Sequence, residues 1–177
     1  TISWATTLLE DPVQTVTLSV LTDILLGNPG APLYKAIIDS HLSRDVSDAS
    51  GMDTGFRQLP FIVGFKGIDP KDAEKAENLV LSTLKDLVDN GIDAQLVTNA
   101  VKRHEFNVRE ISGDTPVGMN AFNRCLRGWI QGFVPETTIH IRKPLETLKT
   151  LISAHADGQG YFELWIQEHL LDNPHRC

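Results

Sequence analysis

From Ile2 to Leu9 the stretch ISWATTLL sets Ile2, Trp4, Thr6 and Leu8 against Ser3, Ala5, Thr7 and Leu9. This period-two alternation of β-favouring types predicts a strand over 2–9. The period then lengthens. Glu10, Asp11 and Pro12 stand where a helix N-terminus takes acidic groups and proline, ahead of Val13, Val16, Val20, Leu21, Ile24 and Leu25 at helical spacing. Leu18 and Leu26 widen that stripe, which predicts burial on more than one side. GNPGAP (27–32) interrupts it, and Pro32 opens a short helix through Leu33, Ala36 and Ile37 to Asp39 or Ser40.

Residues 41–59 are polar and turn-rich. PFIVGFKGI (60–68) follows, with Phe61, Val63 and Phe65 on one face, and predicts a hairpin or strand pair. Asp69, Pro70 and Asp72 start a helix whose buried face runs through Ala73, Ala76, Val80, Leu84, Leu87 and Val88, closed by Asn90-Gly91. Asp93 caps the next, with the stripe Val97, Ala100, Val101, His104, Val108 and Ile111. Phe106 projects from the side opposite that stripe, so this helix is expected to have two packing partners.

After SGDTP (112–116), Phe122, Cys125, Leu126, Trp129, Ile130 and Phe133 mark a further long helix, with Arg124 and Arg127 off the stripe. The aromatic stripe reads as core, with a cofactor or peptide pocket as the alternative. GFVPETT (132–138) closes it. Pro144 opens a shorter helix through Leu145, Leu148 and Leu151. Beyond the turn ADGQG (156–160), a last helix carries Tyr161, Leu164, Trp165 and Leu170 until Asp172, Asn173 and Pro174 stop it. The order of elements predicts a single α+β domain over 1–177, a small antiparallel sheet packed with several helices.

Composition narrows the partners. With 177 residues and 41% hydrophobic content the chain can bury a core, and a net charge of −7 without a basic run argues against nucleic acid and anionic membrane. Cys125 and Cys177 make neither a disulfide framework nor a CxxC pair, which suits a reducing compartment. No transmembrane or targeting segment is apparent.

Motifs for chemistry are missing as well. HEFNVRE (104–110) begins like the zinc-protease signature HExxH, in which two histidines four apart bind zinc and the Glu is general base. Here the fourth position on is Val108, and none of the six histidines has another four residues away. His104 therefore reads as a packed, locally hydrogen-bonded side chain. There is no GxSxG elbow, P-loop or GxGxxG, and the acidic residues at 10, 11, 69 and 72 are explained as helix caps. His169 and His175 are too loosely spaced to count as a ligand pair. No residue is assigned as catalytic or metal-binding.

Several stretches in order, SWATTLLEDP, LLGNPGAPLYKAIIDSHL, FRQLPFIVGFKGID, KRHEFNVREIS and LLDNPHR, resemble the domain after the catalytic domain in insulinase-type (inverzincin) zinc metalloendopeptidases, in the presequence-protease-like branch. The resemblance covers essentially the whole chain. It implies the non-catalytic second domain of a four-domain peptidase that closes around a chamber and degrades unstructured oligopeptides, with zinc and its HxxEH ligands in the first domain. The partners it implies are the other domains of the same chain and a peptide substrate. No catalytic, metal or substrate-binding residue is carried over, no zinc is expected within these residues, and Phe106 is the candidate interdomain contact. The compartment it implies is the cytoplasm in a bacterium, or an organelle matrix or stroma. It also implies a strand directly after NPHR, beyond the last residue, Cys177. The competing reading is a catalytically inactive structural or binding subunit of the same fold.

Overall fold

The computed structural model describes residues 1–109, 117–134, 138, 142–155 and 160–177. Strand β1 (Ile2–Leu8) and strand β4 (Gln58–Val63) run antiparallel, with Ile2 opposite Val63 and Trp4 opposite Phe61. Between them in sequence come the helices α1 (Pro12–Leu26) and α2 (Pro32–Asp39) and the short strands β2 (Asp45–Val46) and β3 (Gly51–Met52). β3 pairs with β4, so the sheet order is β1-β4-β3. The last residues bridge to β1 on its other edge, Arg176 lying opposite Trp4: Ser3 N–H donates to the Cys177 carbonyl at 2.8 Å, Cys177 N–H to Ser3 at 2.9 Å, and Ala5 N–H to His175 at 3.1 Å. β1 is thereby hydrogen-bonded along both edges, as suits a strand under the core.

The alternation in β1 breaks before its end. Its register against β4 shifts between Ala5 and Leu8, after which Thr7 and Leu9 are buried while Leu8 is exposed. A one-residue slip moves every later side chain to the other face, which is why Leu8 leaves the face it shares by count with Trp4. The strand pair expected over 60–68 is also corrected. β4 and β5 (Phe65–Lys66) adjoin in sequence but belong to different sheets, β5 pairing with β2. Gly64 makes the crossing possible, since a Cβ there would lie 2.6 Å from the Cβ of Ser47.

Helix α1 is the centre of the packing. Asp11 caps it, accepting from Val13 and Gln14 N–H at 3.0 Å, and Leu18, Val20, Leu21, Ile24 and Leu25 are buried around more than one side, as its wide stripe predicts. The helices α3 (Ala73–Asn90), α4 (Ala94–Arg109), α5 (Val117–Ile130), α6 (Arg142–Ala154) and α7 (Tyr161–Ile166) follow. A 3-10 turn, Pro70–Asp72, precedes α3. Ala76, Val80, Leu84 and Leu87 form its buried face, while Ala73, in the overhanging first turn, is exposed. Gly91 ends α3 at a φ of 84°, a left-handed conformation that favours glycine. Asp93 caps α4 through Gln95 N–H at 2.8 Å.

Two expected faces are corrected. In α7, which continues into a π turn over Gln167–Leu171, the buried residues are Phe162, Trp165, Ile166 and Leu170, and Leu164 is exposed. In α5 the aromatic stripe is not core. Phe122 is 58%, Trp129 68% and Ile130 71% exposed, with Cys125 and Leu126 half-buried. The α5 end is tied to the loop before β4 instead: the Arg127 guanidinium donates to Thr54, the Gln131 amide to the Gly55 carbonyl at 3.1 Å, and Arg57 lies 5.2 Å over the Phe133 ring. Ile111, SGDTP, part of GFVPETT and most of ADGQG lie outside the described residues.

Candidate functional site

Helix α4 carries both residues that the sequence singled out, on opposite sides. Ala100 and Val101 are buried, and α4 packs against α1. The helix is tied on either flank by Arg103 to Asp23 of α1 and by Lys149 of α6 to Glu105, each at 2.6 Å. His104, one turn beyond Ala100, is half-buried, as its place in the stripe predicts. The local hydrogen bond expected of it is not made at Nε2, which is closed off from solvent and has no partner among the described residues. Burial pushes the His104 pKa below the ordinary imidazole value, opposed by the Asp23 carboxylate and assisted by the Arg124 guanidinium.

Two clefts meet at this imidazole. The larger, about 390 Å3, is lined by Val16, Met52, Val108, Thr54, Arg124 and Arg127 among others. The second, about 330 Å3, is polar, with Ser19, Asp23, Ser50 and Asn107 on its walls. Neither was visible in the sequence. Arg124 and Arg127 entered only as polar positions off an apolar stripe, and the segments they face are distant in sequence.

The depressed His104 pKa has a consequence for stability. The unfolded chain binds this proton more readily than the folded one. Stability therefore falls as pH drops from the ordinary imidazole value of 6.5 toward the lower folded value, and is fully present above 6.5. His104→Gln removes that contribution, so its urea midpoint should change less than the wild-type midpoint as pH falls below 6.5. Parallel profiles for the two proteins would show that His104 does not report on its burial.

Phe106 stands on the other side of α4 and is 63% exposed. His169 lies stacked on Trp165 with ring centroids 4.2 Å apart, while the backbone of His175 takes part in the ladder to β1, so each is occupied structurally. Asp11 and Asp69 cap their helices, and Asp72 pairs with Lys75 at 2.8 Å. Sequence reading missed Glu163. Its buried carboxylate accepts from Ile92 N–H at 2.8 Å, joining α7 to the turn between α3 and α4, and a Cβ on Gly160 would collide with its Oε2. Among the described residues no group of three His, Cys, Asp or Glu is placed to hold a metal ion. These residues do not fit a zinc site.

The family model described as the Peptidase M16 inactive domain matches residues 1–103, more than half of the chain. The chain belongs to this family. The M16 inactive domain described here is 31% identical over 160 residues to presequence protease 1, chloroplastic/mitochondrial, of Arabidopsis thaliana, across 90% of this chain and 15% of that protein. Protein HypA of Clostridium perfringens is 32% identical over 157 residues, across 88% of this chain and 15% of that protein. The mitochondrial presequence protease of Danio rerio is 21% identical over 168 residues, across 95% and 16%. The chain thus spans about 15% of the length of the first two relatives. Two solved structures share the fold at 16% identity: a zinc-protease-like protein of Bordetella pertussis Tohama I, at a TM-score of 0.63 over 82% of this chain and 77% of that one, and the inactive peptidase domain of a zinc-protease-like protein of Bordetella parapertussis, at 0.65 over 82% and 76%. They bear out the α+β fold with its small antiparallel sheet.

Proposed function

We propose that this M16 inactive domain is the second domain of a larger, four-domain zinc metalloendopeptidase that degrades unstructured oligopeptides, and that it forms part of the wall of a closed proteolytic chamber. The observation that carries this reading is a domain with its own buried core that still shows solvent Phe106, Phe122, Trp129 and Ile130. Large apolar side chains left in water on α4 and α5 suit faces that meet a partner. Membership of an inactive peptidase-domain family and the presequence-protease relatives support a partner in the same polypeptide. Phe106 is assigned to that interdomain contact.

No step of hydrolysis is assigned to this chain, since no group among the described residues fits a zinc site; the role is to enclose and orient. A net charge of −7 does not suit nucleic acid, and no helix among the described residues is long and apolar enough to cross a membrane. The compartment proposed is an organelle matrix or stroma, supported by the words chloroplastic and mitochondrial in the names of the plant and fish relatives, or the cytoplasm if the source is bacterial.

The test compares this chain with the longer polypeptide that contains it. The longer protein should hold stoichiometric zinc and cleave an unstructured peptide, with loss of activity on chelation, whereas the 177-residue chain should do neither. A longer protein without zinc or peptidase activity would make the domain part of an inactive subunit. Zinc-dependent cleavage by the 177-residue chain alone would overturn the reading altogether.

A further inference from the structure

The larger cleft between α1, α4 and α5 is a local reversal of charge. The chain carries a net charge of −7, yet the described residues around this cleft include Arg124 and Arg127 and no carboxylate. Arg127 already donates to Thr54, while the Arg124 guanidinium makes no ion pair or hydrogen bond among the described residues. Asp23, the acidic group in the adjoining polar cleft, is engaged by Arg103 at 2.6 Å. The remaining walls are largely apolar: Leu9, Val16, Met52, Val108 and Pro144. A guanidinium without a partner among the described residues, at one side of an apolar cleft, suits a ligand with one anionic end and an apolar body, because guanidinium binds carboxylate through paired N–H donors while the body leaves water. At about 390 Å3 the cleft lies at the small end of ligand sites, which run from ~300 to ~1,000 Å3.

We infer that this cleft binds an apolar monocarboxylate, its carboxylate held by Arg124 and its body lying against Val16, Met52 and Val108. Two sources share that chemistry, the free C-terminus of a peptide ending in an apolar residue and a short fatty acid. His104 closes the wall behind the ligand. The inference rests on the cleft of this chain alone, and stands or falls independently of whether the longer protein is an active peptidase.

The test is a titration of the isotopically labelled 177-residue chain, whose core comes wholly from its own elements, followed through the Thr54 and Asn107 amides and the His104 ring. The probes are N-acetyl-Ala-Ala-Leu as free acid, the same peptide as its C-terminal amide, and octanoate. Saturable shifts are expected with the free acid, with octanoate, or with both. The first alone assigns a peptide C-terminus, and the second alone assigns an acyl chain. The amide should bind at least about tenfold more weakly than the acid, the order of effect for losing one charge-assisted contact. Arg124→Ala should weaken binding of the acid similarly, with Arg124→Lys falling between, while thermal melts of both variants match the parent. Absence of saturable binding by either acid overturns the inference. So does an amide as tight as the acid, or an Arg124→Ala chain that binds like wild type.

Discussion

Trp4→Ala should destabilise the domain by about 3–5 kcal/mol, the range for truncating a fully buried aromatic and leaving a cavity. Trp4 is completely buried beside Phe61, with ring centroids 5.9 Å apart, and β1 is paired on both edges at this point. Its indole N–H donates to the Leu170 carbonyl at 2.8 Å, linking the first strand to the last helical turn. Truncation would leave that carbonyl without its partner, a further cost of about 1–3 kcal/mol if it stays dry. Against a usual domain stability of about 5–15 kcal/mol, the alanine variant should be partly unfolded at 37 °C. Trp4→Phe retains most of the volume and lacks the donor, so it should fall between the two. Urea unfolding of the three proteins measures this, and a Trp4→Ala loss below about 1 kcal/mol would show that the central packing is elsewhere.

The second large effect should appear only in the longer protein. Phe106→Ser and Phe122→Ser, separately and together, are expected to leave the 177-residue chain within about 0.5 kcal/mol of wild type, because both rings are already largely in water. In the longer protein each ring buried against another domain contributes about 1.5–3 kcal/mol, so the double change should lower stability by the sum. Paired thermal melts, isolated chain and longer protein, give the comparison. If the isolated chain itself loses several kcal/mol, these rings belong to its own core. The two-partner reading of α4 would then fail. If neither protein responds, the exposed face does not meet another domain and the proposed wall contact is wrong.

Local chemistry was legible wherever one choice dominated along a short stretch. Asp11, Asp69 and Asp93 each cap a helix as their spacing predicts, since an N-cap carboxylate satisfies backbone N–H groups two or three residues on. The buried face of α3 at Ala76, Val80, Leu84 and Leu87 was legible for the same reason, one apolar stripe on an otherwise charged helix. The ordered resemblance of whole segments anticipated the family that the match over residues 1–103 then established.

Tertiary structure decided the cases in which the chain offers two answers, or none. In α7, Tyr161, Leu164 and Trp165 form one helical stripe and Phe162, Trp165 and Ile166 another; the packing against α3 and α6 selects the second. In β1 the alternation continues by count, but the register shift against β4 reverses its phase. The two-residue strands β2 and β3 are too short to carry a period at all, and exist because other strands pair with them. The stripe of α5 has the same pattern as a buried one and is exposed. Periodicity specifies which side chains share a face, whereas burial requires a second surface to cover that face, and this comes from parts of the chain remote in sequence.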